Sequence, residues 1–149
     1  MTDFQDPAAV SFMLDDCQVW AVVGLSGSTH RDAYHIAALL KRRGKRIVPV
    51  HPSARTVLGE QGYATLADIP FPVDVVNVFR RSETAGQYAD EAIAIGAKAV
   101  WFQLGVVDEA AYGRATAAGL RMVMDTCPAI EWSNRIVDAN RPDSQRTAG

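Results

Sequence analysis

Gly24-Leu25-Ser26-Gly27-Ser28-Thr29-His30-Arg31 is the stretch of this sequence best equipped for chemistry. It combines glycines, which let a ligand approach the backbone, with three hydroxyls and a guanidinium. Where such a turn joins a buried strand to a helix, the free N–H groups and positive end of the helix dipole suit a phosphate or pyrophosphate. The plainer alternative is an ordinary connection in which Ser28 or Thr29 caps the helix. A second cluster, Asn77-Val78-Phe79-Arg80-Arg81, sets an aromatic ring and two guanidinium groups at the end of an apolar run. Adjacent arginines favour a phosphate-bearing ligand, against the alternative of a core phenylalanine and solvated or paired cations. A third, Gln103-Leu104-Gly105-Val106, either admits a ligand close to Gly105 or is a tight turn.

Other chemistries have weaker support. A dinucleotide site of the NAD type wants G-x-G-x-x-G and an acidic residue ending the second strand. Here the glycine pattern is incomplete, and the second strand ends Val50-His51-Pro52. The histidines His30, His35 and His51 form no evident triad with an acid and a nucleophile. Ligand contact is expected of His30 or His51, and surface packing of His35. Cys127 follows the last strand at the expected ligand edge and is either a reactive cysteine facing the ligand or a small buried residue before proline. No spacing suggests a metal site.

The elements that must position these residues follow from period and punctuation. Three stretches, Leu39 to Val50, Ile93 to Phe102 and Ala118 to Met124, run helix, glycine, basic residue, short apolar strand. Gly44, Gly96 and Gly119 sit where a helix ends in a left-handed residue, and the repeated joint implies a parallel α/β sheet. Strands are predicted at Val19 to Val23, Ile47 to Val50, Val73 to Phe79, Ala99 to Phe102 and Met122 to Met124. Ala33, Ile36, Ala37 and Leu40 mark one helix face, and Ala85, Tyr88, Ala89 and Ala92 another. Asp108 caps a further helix, while Asp6-Pro7 opens an N-terminal helix over residues 6–15 expected to cover a sheet edge. Residues 1–139 are expected to form one domain, with a disordered tail over 140–149.

Composition narrows the class. A chain of 149 residues, 48% of them hydrophobic, suffices for one sheet covered by helices on both faces. The net charge of −2 and the scattered basic residues argue against nucleic acid, and no apolar run approaches a membrane span. Two cysteines and an acidic start without a secretory pattern make a reducing cytoplasm the expected compartment.

From Val19 to Trp132 the motifs occur in the order V-V-G-L-S, R-x-x-Y-x-I, V-x-P-V-H-P, L-G-x-x-x-Y-x-T-L-x-D-I-P, V-D-V-V-N-V-F-R-R, A-K-A-V-W-F-Q-L-G-V and V-M-D-T-C-P-A-I-E. In this the chain resembles the small bacterial CoA-binding proteins, whose single domain is similar to the CoA-binding domain of the succinyl-CoA synthetase α-subunit. The resemblance implies a three-layer Rossmann-like α/β domain with a five-stranded, mainly parallel sheet, for which we expect strand order 3-2-1-4-5. It implies recognition of coenzyme A or an acyl-CoA at the C-terminal strand ends, with no chemistry evident in this chain. The pyrophosphate is expected near Gly24, Ser26, Thr29 and Arg31, with Leu25 of the same turn a further candidate contact to the ligand. The adenosine is expected by Val50, His51, Pro52, Phe79 and Arg80, and the pantetheine arm toward Gln103, Leu104 and Gly105, with Arg81 and Cys127 as further candidate contacts to the ligand. The family usually carries Asn or Ser where His51 stands, and commonly Arg where Thr126 stands. Alternatives are an NAD(P)-dependent oxidoreductase, a component of an acyl-CoA ligase acting with a partner subunit, or a module whose ligand changes an interface. A homo-oligomer or an acyl-CoA enzyme is the macromolecular partner such readings allow.

Overall fold

The computed structural model describes residues 3–139, so the tail expected from Asn140 lies outside the described residues. Five strands form one parallel sheet: β1 (Val19–Val23), β2 (Arg46–Val50), β3 (Val75–Val78), β4 (Ala99–Phe102) and β5 (Arg121–Val123). The helices are α1 (Pro7–Ser11), which runs on through a π-helical turn at Phe12–Asp16, α2 (Asp32–Arg42), α3 (Ser82–Ala94), α4 (Glu109–Ala117) and α5 (Pro128–Ala139).

Because successive strand residues point to opposite faces, the near-continuous valine runs serve two cores. On one face Val23, Val48, Val76, Val100 and Met122 meet Ala85, Ala89 and Ala92 of α3 and Ala111 and Ala115 of α4. On the other, Trp20, Val22, Ile47, Val75 and Trp101 meet Ala33, Ala37 and Leu40 of α2, with Val10 and Met13 from the N-terminal segment and Trp132 of α5. The molecule thus has the three layers expected. Burying a Val, Leu or Ile side chain is worth about 1.5–3 kcal/mol, so the two faces together supply most of the driving force. The indole N–H groups stay satisfied, Trp20 Nε1 donating to the Cys17 carbonyl at 3.1 Å and Trp101 Nε1 to that of Thr126 at 2.9 Å.

The three helix-to-strand joints close as the sequence suggested. At the end of α2 the Gly44 N–H donates to the Lys41 carbonyl and the Lys45 N–H to that of Leu40, both at 3.0 Å, and equivalent bonds end α3 and α4. Asp6 accepts from the Ala8 N–H at the start of α1, and Asp108 Oδ1 from the Ala111 N–H at the start of α4. The N-terminal segment lies against the edge strand β5, where the Met124 N–H donates to the Phe4 carbonyl and Arg121 reaches the Ala8 carbonyl.

Strand order differs from the expectation: it is β2-β1-β3-β4-β5, with β3 on the far side of β1 instead of β2 at the centre of one half. The outer edge of β2 is occupied by its own connection, in which the Tyr63 N–H donates to the Pro49 carbonyl and the His51 N–H to that of Tyr63. Pro49, which has no N–H, turns its nitrogen to that same outer side, so no bond to β1 is lost. Asp74 secures the start of β3 beside β1: its Oδ2 accepts the Gln18 and Val19 N–H groups, each at 2.9 Å. Those bonds, with Lys98 at 3.3 Å, outweigh burial and lower the carboxyl's pKa. The order therefore reverses around β1 and β3, and the crevice of such sheets opens there.

Candidate functional site

β1 ends at Gly24, whose N–H donates to the Val50 carbonyl at 2.8 Å, while the Phe79 N–H donates to the Val23 carbonyl at 2.9 Å. These bonds draw the ends of three strands together so tightly that a Cβ on Gly24 would lie 2.7 Å from the Phe79 carbonyl oxygen. Glycine is required here on two counts, since its φ is also +100°. Above this junction lies a cavity of about 700 Å³, within the usual range for small-molecule sites.

The cavity gathers Gly24, Ser26, Arg31, His51, Phe79, Arg80, Arg81, Gln103, Leu104 and Cys127, all singled out from sequence. Val50, His51, Pro52 and Arg80 line a second cavity of about 220 Å³, with Thr65 and, from α3, Gln87, Tyr88 and Glu91. His51 and Arg80 belong to both. Leu25, Thr29, Gly105 and His30, all sequence candidates, line neither cavity. Leu25 is buried in the core on the α2 side, and Thr29 is exposed. Gly105 forms a turn at φ +83°, its N–H donating to Asp125 Oδ1 at 2.7 Å and its carbonyl accepting from Ser82 Oγ at 3.4 Å. That turn holds Leu104 at the cavity, 63% exposed.

Val106, from the Gln103–Val106 stretch, also lines the main cavity, as do Asp32, Ala33 and Ile36, which sequence reading missed, and His35, for which it expected surface packing. For His35 the signal was present: it stands four residues after Arg31, hence on the same helix face.

The electrostatics are those of an anion site. The cap position of α2 is Arg31 and that of α3 is Arg81, and neither helix has a side chain capping its N-terminus. Neither Ser28 nor Thr29 caps α2, contrary to the plainer alternative. Two uncapped helix starts, each entered through an arginine, therefore flank one cavity. Among the described residues Arg31, Arg80 and Arg81 form no ion pair, and Arg80 Nε is buried without a hydrogen-bond partner. The one carboxylate on the main cavity's lining is the exposed Asp32, and Glu91 lines the second cavity. His51 Nδ1 accepts from the Ser53 N–H at 3.1 Å and lies 2.9 Å from Ser53 Oγ, which places the ring proton on Nε2. Burial first, then the nearby Arg80 and Arg55 charges, lower its pKa below the ordinary 6.5. Cys127, half-buried, precedes α5 and accepts the Glu131 N–H on its carbonyl at 3.1 Å. Cys17 is a core residue whose thiol burial pushes up to about 11.

Among the described residues no group of three His, Cys, Asp or Glu is arranged to hold a metal ion, and no helix is long and apolar enough to cross a membrane.

A parallel sheet of this order, covered by helices on both faces, is a Rossmann-like α/β fold. Residues 18–133 match the CoA_binding_2 family, described as a CoA binding domain, and the chain belongs to that family. It is 37% identical over 107 residues to the uncharacterized protein YneT of Bacillus subtilis (strain 168), an alignment spanning 72% of this chain and 79% of that protein. A hypothetical protein from Pyrococcus horikoshii OT3 superposes with a TM-score of 0.81 at 32% identity, covering 87% of this chain and 91% of the other. An acetyl-coenzyme A synthetase 1 from Ca. Korarchaeum cryptofilum shares the fold over 74% of this chain and 26% of its own, with a TM-score of 0.66 at 23% identity.

Proposed function

We propose that this protein binds coenzyme A or an acyl-CoA in the arginine-lined cavity at the C-terminal strand ends, with residues 1–139 as the binding domain and no chemistry of its own. The observation that carries the reading is the convergence of two uncapped helix N-termini and three arginines, unpaired among the described residues, on one cavity in a chain of a CoA-binding family. Such a site repays the desolvation of a polyanion with charge-assisted bonds. The pyrophosphate sits between Gly24, Ser26 and the start of α2 with Arg31, and Arg80 and Arg81 meet it from the β3 side. The adenine enters the second cavity beside Val50, His51 and Pro52, with Tyr88 as an apolar wall. The pantetheine arm runs past Gln103 and Leu104 toward Cys127.

Isothermal titration of the ligand-stripped protein with CoA, acetyl-CoA, NAD and NADP tests this directly. Selective binding of CoA or its thioester is expected. Preference for NAD or NADP, or no binding of any of the four, overturns the reading.

A further inference from the structure

The middle of β3 carries a residue that the fold alone does not call for. Asn77 stands in a Val-Val-Asn-Val strand, fully buried, on the sheet face that carries Trp101 and Val22. Asparagine is disfavoured in strands, and its Nδ2 is buried here without a partner, which costs about 1–3 kcal/mol relative to a satisfied group. A leucine would fill the position without that cost. Polar residues placed against the local rules in this way are expected at functional or strained positions.

Among the described residues Asn77 has one side-chain partner, and it is a cavity residue. Asn77 pairs with Trp101 across the β3–β4 ladder, so Gln103 is its diagonal neighbour on the same face. Gln103 Nε2 donates to Asn77 Oδ1, and Gln103, 5% exposed, lines the main cavity. One Nε2 hydrogen held by Asn77 fixes the plane of the carboxamide, leaving the second Nε2–H and Oε1, and Oε1 accepts no hydrogen bond from the described residues. The arginines and helix N–H groups around the cavity are donors, matched to phosphate oxygens. Gln103 Oε1 is of the opposite kind: a fixed acceptor that calls for an N–H on the ligand.

We infer that Asn77 is a positioning residue that locks the Gln103 carboxamide so that its oxygen accepts an amide N–H of the bound ligand. Resting on the coenzyme A reading, this makes the pair the element that reads the amide-bearing pantetheine arm, while the arginines read the phosphates. Nucleotides lacking secondary amides gain nothing from it.

The test compares wild type, Asn77→Leu, Gln103→Leu and the double variant, each titrated with CoA and with adenosine 3′,5′-bisphosphate, which lacks the arm. Each single variant should weaken CoA roughly 3- to 12-fold, the worth of one net hydrogen bond, and leave the bisphosphate unchanged. The double variant should be no worse than either single one, because both substitutions remove the same hydrogen bond to the ligand. Equal weakening of both ligands, unchanged CoA affinity in Asn77→Leu, or additive losses would each overturn the inference. Should the leucine variant fail to fold, Asn77→Ser, too short to reach Gln103, is read by the same criteria. Wild type that does not bind CoA overturns the parent reading as well, whereas wild type that binds while the variants match it overturns the inference alone.

Discussion

Replacing Gly24 with alanine separates two costs that a glycine turn carries, provided Gly44→Ala is measured beside it. Both glycines have positive φ, +100° and +86°, so each substitution carries a backbone penalty of about 1–2 kcal/mol. Both also lower the entropy of the unfolded chain by the same amount, which cancels in the comparison. The surroundings differ. A Cβ at Gly44 meets nothing within 4 Å, whereas at Gly24 it lies 2.7 Å from the Phe79 oxygen and 3.2 Å from the Phe79 Cβ. Relieving that clash means spreading the ends of β1 and β3, where the Phe79 N–H to Val23 carbonyl bond is 2.9 Å. Weakening one such bond adds about 1–1.5 kcal/mol, for a total of about 2–3.5 kcal/mol. At roughly 3–4 °C per kcal/mol for a chain of this size, thermal unfolding should fall by about 6–14 °C for Gly24→Ala and about 3–8 °C for Gly44→Ala. CoA titration should show weakened binding only in the first, because Phe79 borders the cavity. Equal losses of stability in the two variants would contradict this account, since the strand ends would then yield freely to an added methyl.

Alanine at Arg80 or Arg81 should weaken CoA binding by about 1.5–3 kcal/mol for each charge-assisted hydrogen bond removed, read by titration, with thermal unfolding nearly unchanged. For His51 the sign follows from its lowered pKa: the free protein holds the ring neutral near neutral pH, and phosphates arriving beside it raise its proton affinity. CoA binding should therefore take up a proton and tighten as pH falls through the ring's ligand-bound pKa, an increment absent from His51→Asn in titrations run in buffers of different ionisation enthalpy. The same depressed pKa makes the ligand-free protein lose stability as pH falls from 6.5 through the folded value, so the variant should show a flatter slope in that window. A thiol reagent at about pH 8 should modify Cys127 rapidly and Cys17 slowly, since burial pushes the Cys17 thiol up to about 11. Saturating CoA should protect Cys127, and unprotected labelling would place the pantetheine arm elsewhere.

What could be read from the chain alone was local. The Gly44, Gly96 and Gly119 joints, the Asp6 and Asp108 caps and the limits of β1 and β4 were legible because each depends on dihedral preferences and hydrogen bonds within about five residues. The parallel sheet followed from them, and with it the gathering of Gly24, Arg80 and Gln103 at one end, since every strand of such a sheet points the same way. Strand order was decided only in three dimensions. Valine runs buried on both faces read alike at any interior position, and nothing local told that Tyr63 would occupy the outer edge of β2 and send β3 to the other side of β1. The approach of α3 that forms the second cavity, the paired arginine entries of α2 and α3, and the Asn77–Gln103 hydrogen bond share that origin. Each joins residues distant in the chain, and which distant segments meet is settled by how helices and strands pack together, a property no short window of sequence contains.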